Sequence, residues 1–213
     1  MKTTMPKILT LAFAVTLCGL AAHAATPAAA ALAAGATAPG KGAFQSDLLA
    51  VLGDAQKKVL QLEDAVPQNK FNWRPAPGVR SIAEAYLHIA FGNYGLTSAA
   101  TGKVPPADAG WEMNPPKWDK KTTDKAEIKK ILEQSFAWSN DAIKALADAD
   151  LDKKVSFFGH DMTARAVLII LTGHVNEHLG QEVAYARSNN VTPPWSEGKP
   201  EGKSEAKAAE AKK

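Results

Sequence analysis

The chain is almost free of cysteine, and its one thiol, Cys18, lies within a segment that we expect to be removed. A mature chain without cysteine can form no disulfide, and cysteine catalysis and cysteine metal ligation are excluded as well. Long apolar runs are also missing. The run from Ile8 to Leu20 is shorter than the roughly 20 apolar residues of a comfortable membrane span, and no later stretch approaches that length. Stability must therefore come from a packed core or a bound ion.

The first 24 residues have the layout of a cleavable secretory signal. Lys2 and Lys7 precede the apolar run, and small residues then lead to Ala24. We therefore expect a signal peptide over 1–24, a mature chain that starts at Ala25, and export to the periplasm or the medium. No stable membrane anchor is expected after cleavage, and Leu17 before Cys18 argues against a lipoprotein site.

Composition separates one folded region from two tethers. Residues 25–42 are mostly Ala, Pro, Gly and Thr, which cannot bury enough apolar surface to form a core, so they predict a flexible linker. Residues 197–213 mix Lys and Glu without an apolar stripe and predict a disordered charged tail. One domain remains, at 43–196. Loss of the signal lowers the formal charge from +3 to +1, and no concentrated basic face predicts nucleic-acid binding.

Apolar residues recur at helical spacing in four segments, and strand-like alternation is hard to find. The segments cover about 44–64, a stretch that begins at the capping-box sequence "SIAE" at Ser81, about 124–147, and about 163–189. This pattern predicts an all-α four-helix bundle. The long connection over 101–122 can travel the length of a helix, about 30 Å, so the second and third helices are expected to be parallel and the fourth antiparallel to the second.

The last segment contains "HVNEH", which places His174 and His178 four residues apart on one helical face. They lie on a seam with the 4-3-4-3-4 spacing of an inward bundle face, made of Val167, Leu171, His174, His178, Gln181 and Tyr185. Two imidazoles at this spacing can reach one ion. His88 on the second helix is the candidate third ligand, because its neighbours Ala85 and Gly92 leave room.

Neutral imidazole is a common ligand of zinc and nickel, and three ligands leave a coordination position for water or substrate. The alternative is that the three histidines are hydrogen-bonded core residues without a metal. Glu177 could orient a ligand or act as a base, although a solvent-facing position is favoured, and "HVNEH" lacks the glutamate of the zincin motif. Gln181, Tyr185 and Gly92 are weaker candidates for substrate binding. His160 is expected in a loop before the last helix.

Three stretches together resemble the DinB-like superfamily: "WRPAPGVRSIAEAYLHIAFGNYG", "FFGHDMT" and "HVNEHLGQEVAYARSNNVTPPWS". The resemblance covers about residues 44–196. It implies a four-helix bundle with up-down-down-up topology and a divalent metal on three histidines, which correspond here to His88, His174 and His178. It also implies a homodimer as one form of assembly. Some members of the family transfer low-molecular-weight thiols or isomerise thiol adducts.

Two hypotheses about function follow from a bound metal or ligand, and a third assumes that no metal is bound. The first is an exported metal-dependent hydrolase or transferase acting on an unknown small molecule, with zinc or nickel as the favoured ion. Because thiol cofactors belong to the cytoplasm, export makes hydrolysis or simple binding more attractive than thiol transfer. The second is a non-catalytic bundle that binds a metal or a small ligand. The third is a structural helical protein, which predicts no bound metal.

Overall fold

The computed structural model describes residues 42–196. The predicted signal over 1–24, the predicted linker except for Gly42, and the predicted tail over 197–213 lie outside the described residues. Within the described part, no helix combines the length and the hydrophobicity that crossing a membrane requires.

Four long helices and one short helix account for most of the described chain, and the prediction of a helical bundle is confirmed. A two-stranded antiparallel sheet precedes the last helix. The elements in chain order are α1 (Ala43–Ala65), α2 (Ile82–Thr101), α3 (Pro115–Trp118), α4 (Lys125–Lys144), β1 (Lys154–Phe157), β2 (His160–Thr163) and α5 (Ala164–Ser188).

Three of the long helices begin at side-chain caps that the sequence makes visible. The Ser81 hydroxyl accepts a hydrogen bond from the backbone N–H of Glu84, and the Glu84 carboxylate accepts one from the backbone N–H of Ser81. Asp124 and Thr163 cap α4 and α5 through their side-chain oxygens. These caps satisfy amides that have no partner inside the helix, so they fix where each helix starts.

Two buried side-chain hydrogen bonds between α2 and α4 show the relative direction of these helices. The Asn93 amide donates to the Ser135 hydroxyl at 3.0 Å, and the Thr97 hydroxyl donates to the Ser139 hydroxyl at 3.1 Å. Residue numbers increase together along the two helices, which are therefore parallel. The long connection that contains α3 makes this parallel arrangement feasible.

The remaining helices pack around this pair. Contacts of α1 with α4 join Gln56 to Asn140 and Asp64 to Lys129, so these two helices are antiparallel. Both α1 and α2 pack against α4 and α5. His174 on α5 lies against Gly92, whereas His178, one turn later, lies beside His88, one turn earlier on α2, so α5 is antiparallel to α2. The helix directions are those of an up-down-down-up bundle.

The hairpin is the main difference from the sequence analysis, which found no strands and placed His160 in a loop. His160 instead begins β2 and pairs with Phe157, and its side chain is exposed. The two strands have four residues each, too few for alternation to stand out. The turn residues are Phe158 and Gly159, both at positive φ, and a phenylalanine at this position hides the usual turn signal.

The core contains two acids that the sequence analysis did not identify. Glu63 on α1 and Glu182 on α5 are fully buried, and so is Tyr86 on α2. Neither carboxylate nor the Tyr86 hydroxyl has a hydrogen-bond partner within residues 42–196. Burial raises the pKa of Glu63 to about 7 and raises the pKa of Glu182 well above its usual range. Both acids are therefore held in an environment that favours the protonated form.

Candidate metal centre

The structure brings the three predicted histidines together between α2 and α5. The ring of His88 lies 5.1 Å from that of His174 and 4.9 Å from that of His178, and the last two rings are 4.6 Å apart, measured between centroids. One nitrogen from each ring lies within 4.8 Å of the other two. His178 is buried and the other two are half-buried.

His88 is held in place by a carboxylate from the long connection. Its Nδ1 lies 3.1 Å from the Asp119 carboxylate, which accepts, so Nδ1 carries the hydrogen; in the neutral ring, Nε2 then has the lone pair. The other Asp119 oxygen accepts from Arg80 Nε at 2.7 Å. The indole of Trp118 donates to the Leu87 carbonyl at 2.8 Å and thereby anchors Asp119 against α2.

His178 is oriented by its own helix. Its Nδ1 donates to the Gln181 side-chain oxygen at 2.8 Å, and the Gln181 amide donates to the Tyr185 hydroxyl at 2.7 Å. The edge of the Trp73 ring packs on Tyr185 with centroids 5.4 Å apart. Gln181 therefore bonds to His178 directly and Tyr185 bonds to Gln181, and the use of either residue toward a substrate stays a prediction.

His174 lies against Gly92, which provides the space for its ring. A Cβ on Gly92 would lie 2.2 Å from His174 Cε1, a separation that real side chains do not tolerate. The Nδ1 atom of His174 is buried, and no hydrogen-bond partner for it is found in the described part of the chain. Burial, together with repulsion from His178 and His88, lowers the pKa of His174 to about 3.

This arrangement fits a divalent cation. Burial also lowers the pKa of His178, although its hydrogen bond with Gln181 opposes the shift. Neutral imidazoles expose lone pairs, and three lone pairs facing one another repel unless a cation or a donor lies between them. The unpartnered Nδ1 of His174 marks the same need. The outer hydrogen bonds to Asp119 and Gln181 are of the kind that fixes the tautomer of a metal-binding histidine.

Sequence reasoning missed Asp119 and Arg80. Asp119 directly follows α3, in a Pro-rich connection where a single acid carries no periodic signal. The available signal was chemical, because a ligating histidine usually donates its second N–H to a carboxylate or carbonyl. Glu177, by contrast, is exposed, in the solvent-facing position that the sequence analysis favoured.

Comparison with known proteins gives a family and a fold. The sequence model of the DinB superfamily matches residues 52–181. A DinB-like protein from Bacillus cereus ATCC 10987 superposes with a TM-score of 0.60 at 20% identity, covering 69% of this chain and 93% of its own. No curated protein matches the chain.

Two further solved structures share the fold. A DinB-like protein from Bacillus subtilis superposes with a TM-score of 0.53 at 17% identity, over 70% of this chain and 92% of its own. A conserved protein from Enterococcus faecalis gives a TM-score of 0.53 at 18% identity, over 67% of this chain and 94% of its own. At these identities the likeness establishes the fold alone.

Proposed function

The chain belongs to the DinB superfamily, and on that basis we propose that it binds a divalent metal ion and uses it as a hydrolase or transferase of small molecules. The observation that supports the metal is the meeting of His88, His174 and His178, with one nitrogen of each within 4.8 Å of the others. Zinc and nickel are the ions that suit three imidazoles best.

Each residue has a distinct part in this proposal. The three histidines would hold the ion, and Asp119 and Gln181 would keep two of the imidazoles in the ligating tautomer. A metal with three protein ligands supplies an open position at which it can polarise a carbonyl or lower the pKa of bound water. Arg80 forms an ion pair with Asp119 at 2.7 Å and so helps to hold that side chain beside His88.

Metal content in solution tests the proposal. The chain, purified without a histidine tag, is expected to carry close to one equivalent of zinc or nickel by elemental analysis. His88→Ala, His174→Ala and His178→Ala should each lose most of it, because two imidazoles make a weak site. His160→Ala is the matched control, since His160 is exposed on β2 and should leave the metal in place. Equal metal in all five proteins would refute the site.

The same measurement assigns a role to Asp119. Asp119→Asn keeps the side-chain shape but removes the charge that holds His88, so metal affinity is expected to fall by roughly 10–100-fold without disappearing. A competing chelator of known affinity gives the number. An unchanged affinity would mean that Asp119 serves only its ion pair with Arg80.

Turnover distinguishes catalysis from binding alone. A screen with esters and thiol adducts should reveal an activity that is lost on chelation, restored by the ion, and lost in His178→Ala. Bound metal without any turnover would favour the non-catalytic binding protein instead.

Export is proposed on the residues of the first segment alone. N-terminal sequencing of the protein from the producing cell should begin at Ala25, and the protein should fractionate outside the cytoplasm. A cytoplasmic protein that keeps Lys2 and Lys7 would overturn this proposal. A homodimer, implied by the family resemblance, is measured by light scattering of the eluting protein.

A further inference from the structure

An apolar pocket lies directly beside the histidine cluster. It encloses about 270 Å³ and is lined by His88 and His174 together with apolar side chains from α2, α5, the long connection and the hairpin. The apolar lining includes Phe91, Leu96, Met113 and Phe158. Two of the three proposed metal ligands are thus part of the wall of a pocket that is otherwise almost entirely apolar.

The tip of the hairpin contributes an unusual residue to this wall. Phe158 and Gly159 are the two central residues of the turn, with φ of 49° and 78°. Such a turn requires positive φ at both positions and strongly prefers Asn or Gly at the first, because a Cβ is strained there. The Phe158 side chain is also 81% exposed, and its ring packs on Phe157 with centroids 4.5 Å apart.

Neither property of Phe158 helps the fold. A bulky residue at positive φ strains the backbone, and an aromatic ring that stays exposed adds little hydrophobic stabilisation to the fold. Backbone strain of this kind is concentrated at active sites and ligand-binding sites. Phe158 lines the pocket that reaches His88 and His174, so a ligand in this pocket would cover the ring.

We propose that this pocket binds a neutral, aromatic-ring-sized apolar group of the substrate, with Phe158 as a specificity-determining residue. The proposal rests on the proposed function, because it places the reacting polar atom of the substrate at the ion held by the histidines. The volume supports the size, since an engineered apolar cavity of roughly 150 Å³ holds benzene and this pocket is larger.

The lining also predicts the charge of the group. No Asp, Glu, Lys or Arg is among the residues that line the pocket. A charged substituent entering it would lose its water without gaining a partner, which is unfavourable. We therefore expect discrimination against substrates that carry a charge on the apolar end.

Hydroxamates provide the test, because their head group binds divalent metals whatever their tail. On the zinc-loaded chain, benzohydroxamate is expected to bind at least about 10-fold more tightly than acetohydroxamate, since its ring leaves water for the pocket. A para-carboxylate on the ring should remove most of this advantage. A ratio near one for the native chain would overturn the proposal.

Two variants locate the effect. Phe158→Asn gives the turn a residue that it prefers and should fold at least as well, yet the ratio should fall to within about 3-fold. Ile170→Trp should fill the pocket and abolish the ratio while acetohydroxamate still binds. Val104→Asn, also at an exposed apolar residue, is the matched control and should keep the full ratio. Unchanged ratios in both pocket variants would assign the preference to another surface and sink the proposal.

A metal-free measurement separates this proposal from the metal. Ligand-observed NMR of the chelated native chain with benzyl alcohol should show binding that Ile170→Trp removes. If the histidines bind no metal but benzyl alcohol binds in this way, the pocket stands and the metal proposal fails. If metal binds but neither probe prefers the pocket, the metal stands and the pocket assignment is wrong.

Discussion

Glu182→Leu is expected to raise the free energy of unfolding at pH 8 by roughly 1–3 kcal/mol, the usual cost of burying a polar group without a hydrogen-bond partner. Glu182 is fully buried, and neither carboxylate oxygen has a hydrogen-bond partner within residues 42–196. Leucine is close to glutamate in size and removes the two unsatisfied carboxylate oxygens. Denaturant unfolding followed by circular dichroism measures the change. Glu177→Leu, at an exposed position of the same helix, should give no comparable gain.

The Glu63 carboxyl should stabilise the fold less as pH rises, and comparison with Glu63→Gln isolates this effect because the lowered pKa values of His174 and His178 act in the opposite direction. Burial raises the pKa of Glu63 from 4.5 to about 7, so the folded state keeps a proton that the unfolded state has already released. The contribution of the Glu63 proton to the free energy of unfolding is therefore complete below pH 4.5 and is lost between pH 4.5 and about pH 7. It amounts to roughly 3 kcal/mol. Glu182, whose pKa is raised further, extends the loss to higher pH. If Glu63→Gln gains no stability over the native chain between pH 5 and pH 8, or if Glu182→Leu is less stable than the native chain at every pH, the buried acids do not behave as described.

Gly92→Ala is expected to disrupt metal binding while the bundle stays folded. The added Cβ would lie 2.2 Å from Cε1 and 2.4 Å from Nδ1 of the His174 ring. The ring is the outer end of a side chain, so it should move out of the cluster while the backbone stays in place. Loss of one of three ligands should lower metal affinity by more than the roughly 10–100-fold that follows from losing an outer hydrogen bond.

Gly53→Ala on α1 is the matched control for this change. A Cβ on Gly53 would meet nothing within 4 Å, and alanine favours a helix over glycine by about 1 kcal/mol. Gly53→Ala should therefore raise stability slightly and leave metal affinity unchanged. If Gly92→Ala behaved like Gly53→Ala, His174 would not need its observed position to bind the ion.

The helices were predictable because a helix that packs on one face has apolar residues at regular spacing in its sequence. A 25-residue helix such as α5 repeats its apolar spacing over many turns, and Thr163 marks its start through its side chain. The histidine cluster was predictable for a related reason. His174 and His178 share a face by their spacing alone, and His88 follows once helix directions and small neighbours are considered.

Features that depend on single tertiary contacts left no such signal. Asp119 meets His88 in a connection that the Trp118 indole anchors on α2 through the Leu87 carbonyl, a contact between residues 31 positions apart. Glu63 and Glu182 are charged residues that sequence patterning assigns to solvent, yet the packing of α1 and α5 encloses both. Phe158 occupies a turn position where its residue type argues against a turn.

X-ray absorption at the zinc edge of the tag-free, zinc-loaded chain would show whether His88, His174 and His178 bind the same ion. Three imidazole nitrogens are expected at about 2.0–2.1 Å from the zinc, with an oxygen ligand such as water completing the site. One imidazole fewer is expected in His88→Ala, because this variant removes the proposed ligand on α2 and keeps the two on α5. A spectrum with no imidazole scattering, or one that is identical in the native chain and His88→Ala, would contradict a shared ion.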